Sequence, residues 1–376
     1  ARPMKDGFRI VDTDCHQIEP ASMWSEYIDP AFAGREPRMD EVDGRTQLCV
    51  EGNGVTPPDA ERKYPMNSPE FHEANRKAMM RFSRARDAGF DAASRVLDMD
   101  EHGVDMQVIY PTFGGQILGR EFEDPELIHA ICRAYNDWCA DYCSLDPARL
   151  RWAAMLPVQA PDLAIDEARR AAEKGCAGYY IRPNPVLGRN LYHEDYWPLW
   201  GVIESLDRPV CMHDSGSPWI PSYGDRMDTH TTGHILAHPF EAMSAMAGLI
   251  WFGVPEHFPR LRFVHVEADA GWVPYWLQRM EQHYDFSGTA EHPELKRAPT
   301  EYFRSNFFVA ARGDERTLKA AVELVGEDYF LFNTDYPHAD GTFPWGMSSL
   351  VEQPISDEAK RKILWDNAVR AFAIAA

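Results

Sequence analysis

Tyr329-Phe330-Leu331-Phe332-Asn333-Thr334-Asp335-Tyr336-Pro337-His338 is a segment that is apolar along its body and polar at its tip. The bulky apolar run fits a strand buried on both faces, as in a parallel sheet covered by helices. Pro337 then stops any ladder, because it has no amide hydrogen to give. Asp335 is left at the buried end of the strand, where a carboxylate needs a partner.

Working outward from this segment, the same construction recurs along the chain. Candidate strands fall at Arg9–Asp14, Met106–Tyr110, Arg151–Pro157, Ala177–Arg182, Val210–His213, Arg262–Glu267, Asn306–Val309 and Tyr329–Asn333. Amphipathic stretches such as Asp162–Lys174 and Ile235–Gly253 lie between them, and Asp357–Ala373 reads as a last helix with Ser356 at its N-cap. Strand and helix alternating about eight times predicts an α/β fold, a closed (β/α)8 TIM barrel. The structural alternative is an open doubly wound sheet. It loses its main attraction because no GxGxxG or GxxxxGK[ST] follows the first strand. About 90 residues separate the first two strands, far more than a normal connection. Residues about 20–92 are therefore read as an insertion over the barrel mouth, with a strand-like Gln47–Val50 and a charged helix-like Ser68–Arg86. No internal repeat or linker is seen, so residues 1–376 are expected to form one domain.

Composition narrows the function classes. The net charge of −21 argues against a nucleic-acid or anionic-membrane partner and leaves a small molecule as the expected ligand. There is no run of about 18 apolar residues, and Ala1 to Phe8 has no signal-peptide core. Seven scattered cysteines without a CxxC pair point to a reducing cytoplasm and to cysteines used as small core residues.

Chemistry-bearing residues collect at strand ends. Asp14 and His16 in Val11-Asp12-Thr13-Asp14-Cys15-His16 are two apart, so they project together, with Asp12 on the same parity one step deeper. A carboxylate and an imidazole on one face suit zinc, manganese or iron. His213 ends the fifth strand in Val210-Cys211-Met212-His213-Asp214. The sixth reads Phe263-Val264-His265-Val266-Glu267-Ala268-Asp269, where strict alternation places His265, Glu267 and Asp269 on one side. Asp335 ends the eighth. In a closed barrel these ends converge on the catalytic face, which predicts one divalent metal ion there.

The motifs Asp14-Cys15-His16 with Glu19-Pro20, His213, Glu267-Ala268-Asp269-Ala270-Gly271-Trp272 and Asp335-Tyr336-Pro337-His338 resemble the amidohydrolase superfamily. The branch is the one that contains aminocarboxymuconate-semialdehyde decarboxylase and the γ-resorcylate decarboxylases. Arg95-Val96-Leu97-Asp98-Met99-Asp100, Pro255-Glu256-His257-Phe258-Pro259 and Asp366-Asn367-Ala368 add to the likeness. The resemblance implies Asp14, His16, His213 and Asp335 as metal ligands and a homodimer or homotetramer. It departs at the sixth strand, where Glu267 stands in place of the decarboxylases' histidine.

Glu267 in that place makes hydrolysis the leading expectation. In that reading metal-activated water attacks a small aromatic or heterocyclic amide or lactone, or displaces a nitro or halide substituent, with Glu267 or Asp335 as base. Nonoxidative decarboxylation of an aromatic or muconate-type acid is the second reading, and a metal-free binding protein the third. Arg182 and Arg312 are candidates for an anionic substrate group. Trp219 and Trp345, with Phe113, Tyr223 and Phe343, are candidates for a flat apolar wall. His338 is a candidate substrate contact or acid. His230, His234 and His238 are near enough in sequence to approach the mouth without being distinguished from one another.

Overall fold

The computed structural model describes residues 6–42, 45–55, 69–214 and 221–374. Eight parallel strands run in sequence order around a nearly closed barrel. They are β1 (Val11–His16), β2 (Met106–Tyr110), β3 (Leu150–Met155), β4 (Gly178–Ile181), β5 (Val210–Met212), β6 (Phe263–His265), β7 (Phe307–Arg312) and β8 (Phe330–Asn333). A parallel bridge between Cys15 and Tyr336 brings the last strand back to the first, where Asp335 N donates to Asp14 O at 2.9 Å. Each expected strand is present; several, β6 most of all, are shorter than the sequence pattern suggested.

Side chains sort cleanly between the two faces of the barrel wall. Val11, Val108, Tyr110, Tyr180, Cys211, Val264, Phe308 and Leu331 fill the interior. Ile10, Ile109, Tyr179, Val210, Met212, Phe263, Phe330 and Phe332 face the helical layer. Burying one such aliphatic or aromatic side chain contributes about 1.5–3 kcal/mol. Trp365, Ala368, Ala371 and Phe372 of the C-terminal helical segment pack under the interior cluster and plug the end opposite the strand tips. Arg9 stacks its guanidinium on Trp365, 3.3 Å from the ring centroid, and fixes that plug to the chain entering β1. All seven cysteines are free and buried, as small core residues should be.

One irregularity matters for the site. The β1–β2 register shifts between Asp12 and Cys15. Val11 faces the interior and unbroken alternation would send Cys15 there too, yet Cys15 packs in the outer layer. The bulge resets the phase, so Asp14 and His16 point inward. Asp12, expected to share their side, instead accepts from Thr334 N at 2.8 Å and from the Thr334 hydroxyl, tying β1 to β8.

The long segment after β1 contains the helix Ser22–Tyr27 and an antiparallel sheet of Arg38–Val42, Arg45–Val50 and Asn53–Gly54. The charged helix expected from residue 68 is broken by a 3-10 turn at Met80–Phe82 into Pro69–Met79 and Ser83–Asp87. Arg81 in that turn reaches the loop after β8, donating to His338 O, Ala339 O and Gly341 O at 2.9–3.1 Å. Phe82 packs edge-on against Tyr336 beneath it. This part of the insertion therefore sits on the strand-tip end of the barrel. Among the described residues no helix is long and apolar enough to cross a membrane.

Candidate metal centre

His16 is held by its far nitrogen. Nδ1 lies 3.1 Å from Pro111 O, a geometry that places the proton on Nδ1 and leaves the Nε2 lone pair facing inward. His213, at the tip of β5, presents its own Nε2 3.0 Å from that of His16. Asp14 Oδ1 lies 3.3 Å from His16 Nε2 and 3.8 Å from His213 Nε2. Glu267 Oε2 lies 2.9 Å from His213 Nε2. These four side chains each offer a ligand atom within 4.8 Å of the others.

The donor set fits a divalent cation. Asp14 is fully buried, and neither carboxylate oxygen has a hydrogen-bond partner among the described residues. An unsatisfied buried carboxylate is costly, whereas two imidazoles and two carboxylates neutralise a divalent charge. Ligand atoms bound at about 2.1 Å stand about 3.0–3.4 Å apart across angles of 90–110°. The separations of 3.0 and 3.3 Å fall in that range, 2.9 Å lies just below it, and 3.8 Å lies above it. Without an ion, burial pushes Asp14 up to about 6, with Glu267 adding to the rise. Burial disfavours charge on His213, but Glu267 and Asp14 outweigh it and lift that imidazole to about 9. Burial, with His338 and His213 alongside, holds His16 well below the usual range.

Glu267 reaches the cluster by a route that alternation does not describe. β6 ends at His265, and Glu267 and Asp269 both take left-handed backbone, φ +52° and +54°. Side chains longer than glycine adopt that region at a cost, and such residues concentrate at functional sites. The turn swings Glu267 over the barrel. His265 stays on the outer face, fully buried and stacked on Phe307 at 6.0 Å, so the three residues do not share one side. Burial pushes Glu267 up, yet His238 and His213 outweigh it and hold the carboxyl well below its usual range.

Asp335, expected as a metal ligand, has a divided position. Its Oδ1 lies 3.4 Å from His16 Nε2 and 2.8 Å from His338 Nδ1. It too sits in left-handed backbone, φ +57°. His338 stacks on His16 with ring centroids 4.1 Å apart, and its Nε2 lies 2.9 Å from Thr112 Oγ1. Burial opposes charge on His338, but Asp335 outweighs it and raises the imidazole to about 10. Burial, then the charge of Glu267, push Asp335 itself well above its usual range. The charged form of His338 is thus favoured beside the metal donors.

The supporting residues were not singled out by the sequence. Arg95, nearly fully buried, donates to His16 O, to Gln107 Oε1 at 3.0 Å and to Tyr142 OH at 2.9 Å, and lies over the Tyr336 ring. Asp98 accepts from Tyr336 OH at 2.8 Å. Glu19 collects the N–H groups of Thr112, Phe113 and Gly114 at 2.9–3.1 Å, which sets the loop that carries Thr112. A buried carboxylate three residues past His16 and a buried arginine eleven residues ahead of β2 were visible only as motif letters. Their partners lie across the fold.

Other expected residues are placed as follows. Arg182 is buried and paired with Asp214 Oδ1 at 2.7 Å, and it donates to Asn184 Oδ1 at 3.1 Å. Arg312 pairs with Asp314 at 3.3 Å near the surface. Trp345 is half exposed, with the Arg81 guanidinium 5.1 Å from its ring. Phe343 is buried against Tyr336 rather than lining the mouth. Trp219 lies outside the described residues. His234 and His238 do reach the centre: His234 Nε2 is 3.4 Å from Glu267 Oε1 and His238 Nδ1 3.6 Å from Glu267 Oε2. The signal that could have found them is their spacing, four apart on one helix face.

Residues 11–374 match the family model described as Amidohydrolase. The chain belongs to the amidohydrolase family. Among its relatives, the γ-resorcylate decarboxylase of Polaromonas sp. (strain JS666 / ATCC BAA-500) is 28% identical over 292 residues, 74% of this chain and 86% of that protein. The 2-amino-3-carboxymuconate-6-semialdehyde decarboxylase of Dictyostelium discoideum is 27% identical over 314 residues, 81% of this amidohydrolase and 84% of that protein. A solved structure of dihydroxybenzoic acid decarboxylase from Polaromonas sp. JS666, with bound manganese and the inhibitor 2-nitroresorcinol, superposes with a TM-score of 0.70. It is 22% identical and covers 97% of each chain. These relatives are decarboxylases, which corrects hydrolysis as the leading expectation for this amidohydrolase. The physical reason lies in Glu267: surrounded by His213, His234 and His238, it is not the free base that water attack was assigned.

Proposed function

We propose that this enzyme carries out metal-dependent, nonoxidative decarboxylation of a small aromatic or muconate-type carboxylic acid. The observation that carries this reading is the Asp335–His338 pair, 2.8 Å across, stacked against His16 of the metal donors. Decarboxylation breaks the bond between the ring or vinyl carbon and the carboxylate. The electron pair stays on that carbon, which takes one proton as CO2 leaves. A site for this reaction needs a cation to hold the acid and a proton store beside it.

Asp14, His16, His213 and Glu267 would hold the ion, with Asp335 close enough to His16 to join them. A divalent ion there, manganese as in the Polaromonas decarboxylase structure, or zinc or iron, supplies a Lewis-acidic anchor for the carboxylate and an adjacent hydroxyl of the substrate. His338 would store the proton, its Nδ1 2.8 Å from the Asp335 carboxylate, and Thr112 fixes the ring from the other side. Arg95 keeps β1 in place through the His16 carbonyl. Arg182, locked to Asp214 beside His213, orients that strand tip, and Trp345 flanks the loop carrying His338.

The test is turnover of manganese-loaded protein on a panel of hydroxybenzoates and 2-amino-muconate acids, with CO2 release measured directly. In heavy water, one deuterium is expected at the carbon that lost the carboxylate. Products that keep the carboxylate but gain the elements of water would overturn the assignment.

A further inference from the structure

A second group of donors lies on the outer side of Glu267 and is not used by the centre described above. His234 and His238 stand one helical turn apart on the helix His230–Trp251, their rings 4.3 Å from centroid to centroid. His234 Nε2, His238 Nδ1 and a Glu267 oxygen lie within 4.8 Å of one another. Asp340, on the loop after β8, places Oδ2 3.7 Å from His234 Nε2. Glu267, Asp335 and Asp340 form a further convergent group on the same side.

We infer that His234, His238, Glu267 and Asp340 form a second divalent-cation site that shares Glu267 with the first. Three features carry the inference. The separations of 3.4, 3.6 and 3.7 Å are too long for good hydrogen bonds. They are close to the spacing of two ligands on one ion, about 3.4 Å at a tetrahedral angle. Next, His238 is only 4% exposed, and its Nδ1 has no hydrogen-bond partner among the described residues while it faces Glu267 Oε2. Last, the two oxygens of Glu267 are divided: Oε2 faces His213 and His238, and Oε1 faces His234. A carboxylate with imidazoles on both sides is built to bridge. Two imidazoles at i and i+4 on a helix are a ligand spacing in their own right.

This site goes beyond the decarboxylase reading and holds whichever reaction the enzyme performs. The experiment is manganese binding to the full chain after chelation, by equilibrium dialysis with elemental analysis, together with electron paramagnetic resonance of the loaded protein. The wild type is expected to bind two ions per chain and to give a spin-coupled spectrum. His234→Gln, at a partly exposed position that tolerates substitution, should bind one ion and give an uncoupled manganese spectrum; His238→Gln should do the same. His16→Asn should lose the first ion and keep the second, which separates failure of the first centre from failure of this one. One ion per chain in the wild type at saturation, or two coupled ions retained in both helix variants, would overturn the inference.

Discussion

Replacing Thr112 with valine removes one hydroxyl and nearly preserves shape. That hydroxyl lies 2.9 Å from His338 Nε2, while Nδ1 is 2.8 Å from Asp335. With both nitrogens engaged, the charged ring is the form the pocket favours, and its pKa is raised to about 10. A hydrogen bond to a charged group contributes about 1.5–3 kcal/mol, and one pKa unit corresponds to about 1.4 kcal/mol. The full bond therefore corresponds to about 1–2 units; because the His338 side chain is 23% exposed, water recovers part of it and a fall of about one unit is expected. The sign follows from the raised value. The imidazolium persists below its pKa and is lost as pH rises through it, so weakening it draws the alkaline limit of activity to lower pH. The assay is kcat against pH for CO2 release by the manganese-loaded wild type and Thr112→Val. The backbone N–H of Thr112 still reaches Glu19, so the loop should stay in place. Alkaline limbs that superimpose, with kcat lowered evenly at every pH, would refute His338 as the proton holder and leave Thr112 a packing role.

Arg95→Lys keeps the charge but loses the fork that serves His16 O, Gln107 and Tyr142. Each acceptor left unpaired costs about 1–3 kcal/mol, and ion affinity should fall about 10–100-fold; urea unfolding of the chelated protein and manganese dialysis read the two effects. Arg81→Ala frees three carbonyls of the His338 loop at a partly exposed surface. It should cost about 1 kcal/mol of stability yet lower kcat more than it raises KM, and steady-state kinetics with an unchanged kcat would contradict the link. In the chelated protein His213 titrates at about 9 and carries a proton at neutral pH, whereas a metal ligand must not. Manganese binding near pH 7 should thus release about one proton from this residue, and less as pH rises past 9; titration heats that do not depend on buffer ionisation enthalpy would contradict it.

The barrel was legible because each strand carries its own apolar run and each tip its own polar break. Tyr329–His338 and Val210–Asp214 can be read without knowing their neighbours. His213 follows directly, being the residue at which its run ends, and His16 follows from its spacing of two from Asp14. Glu267 was legible as a residue but not in its role: the left-handed turn at positions 267 and 269 breaks the period-2 rule on which the reading of β6 rested. His265 was drawn inward by that same rule, though it belongs to the aromatic layer outside. Arg81, Arg95 and Glu19 act through carbonyls and amides, and Thr112 through an imidazole, tens to hundreds of residues away, and no local pattern encodes such partners. His234 and His238 had a local pattern, but a polar helix start obscured it.

The bulge between Asp12 and Cys15 makes β1 two strands in one. Below it, the chain obeys the packing needs of a dry wall; above it, the opposite set of side chains turns toward the opening. A strand of uniform phase would have to choose between a tight cork and a reactive rim. One extra residue of slack removes the conflict: three steps of β1 cross the two steps from Gln107 to Ile109, so the wall stays hydrogen-bonded on both sides of the bulge while Asp14 and His16 turn into the chamber.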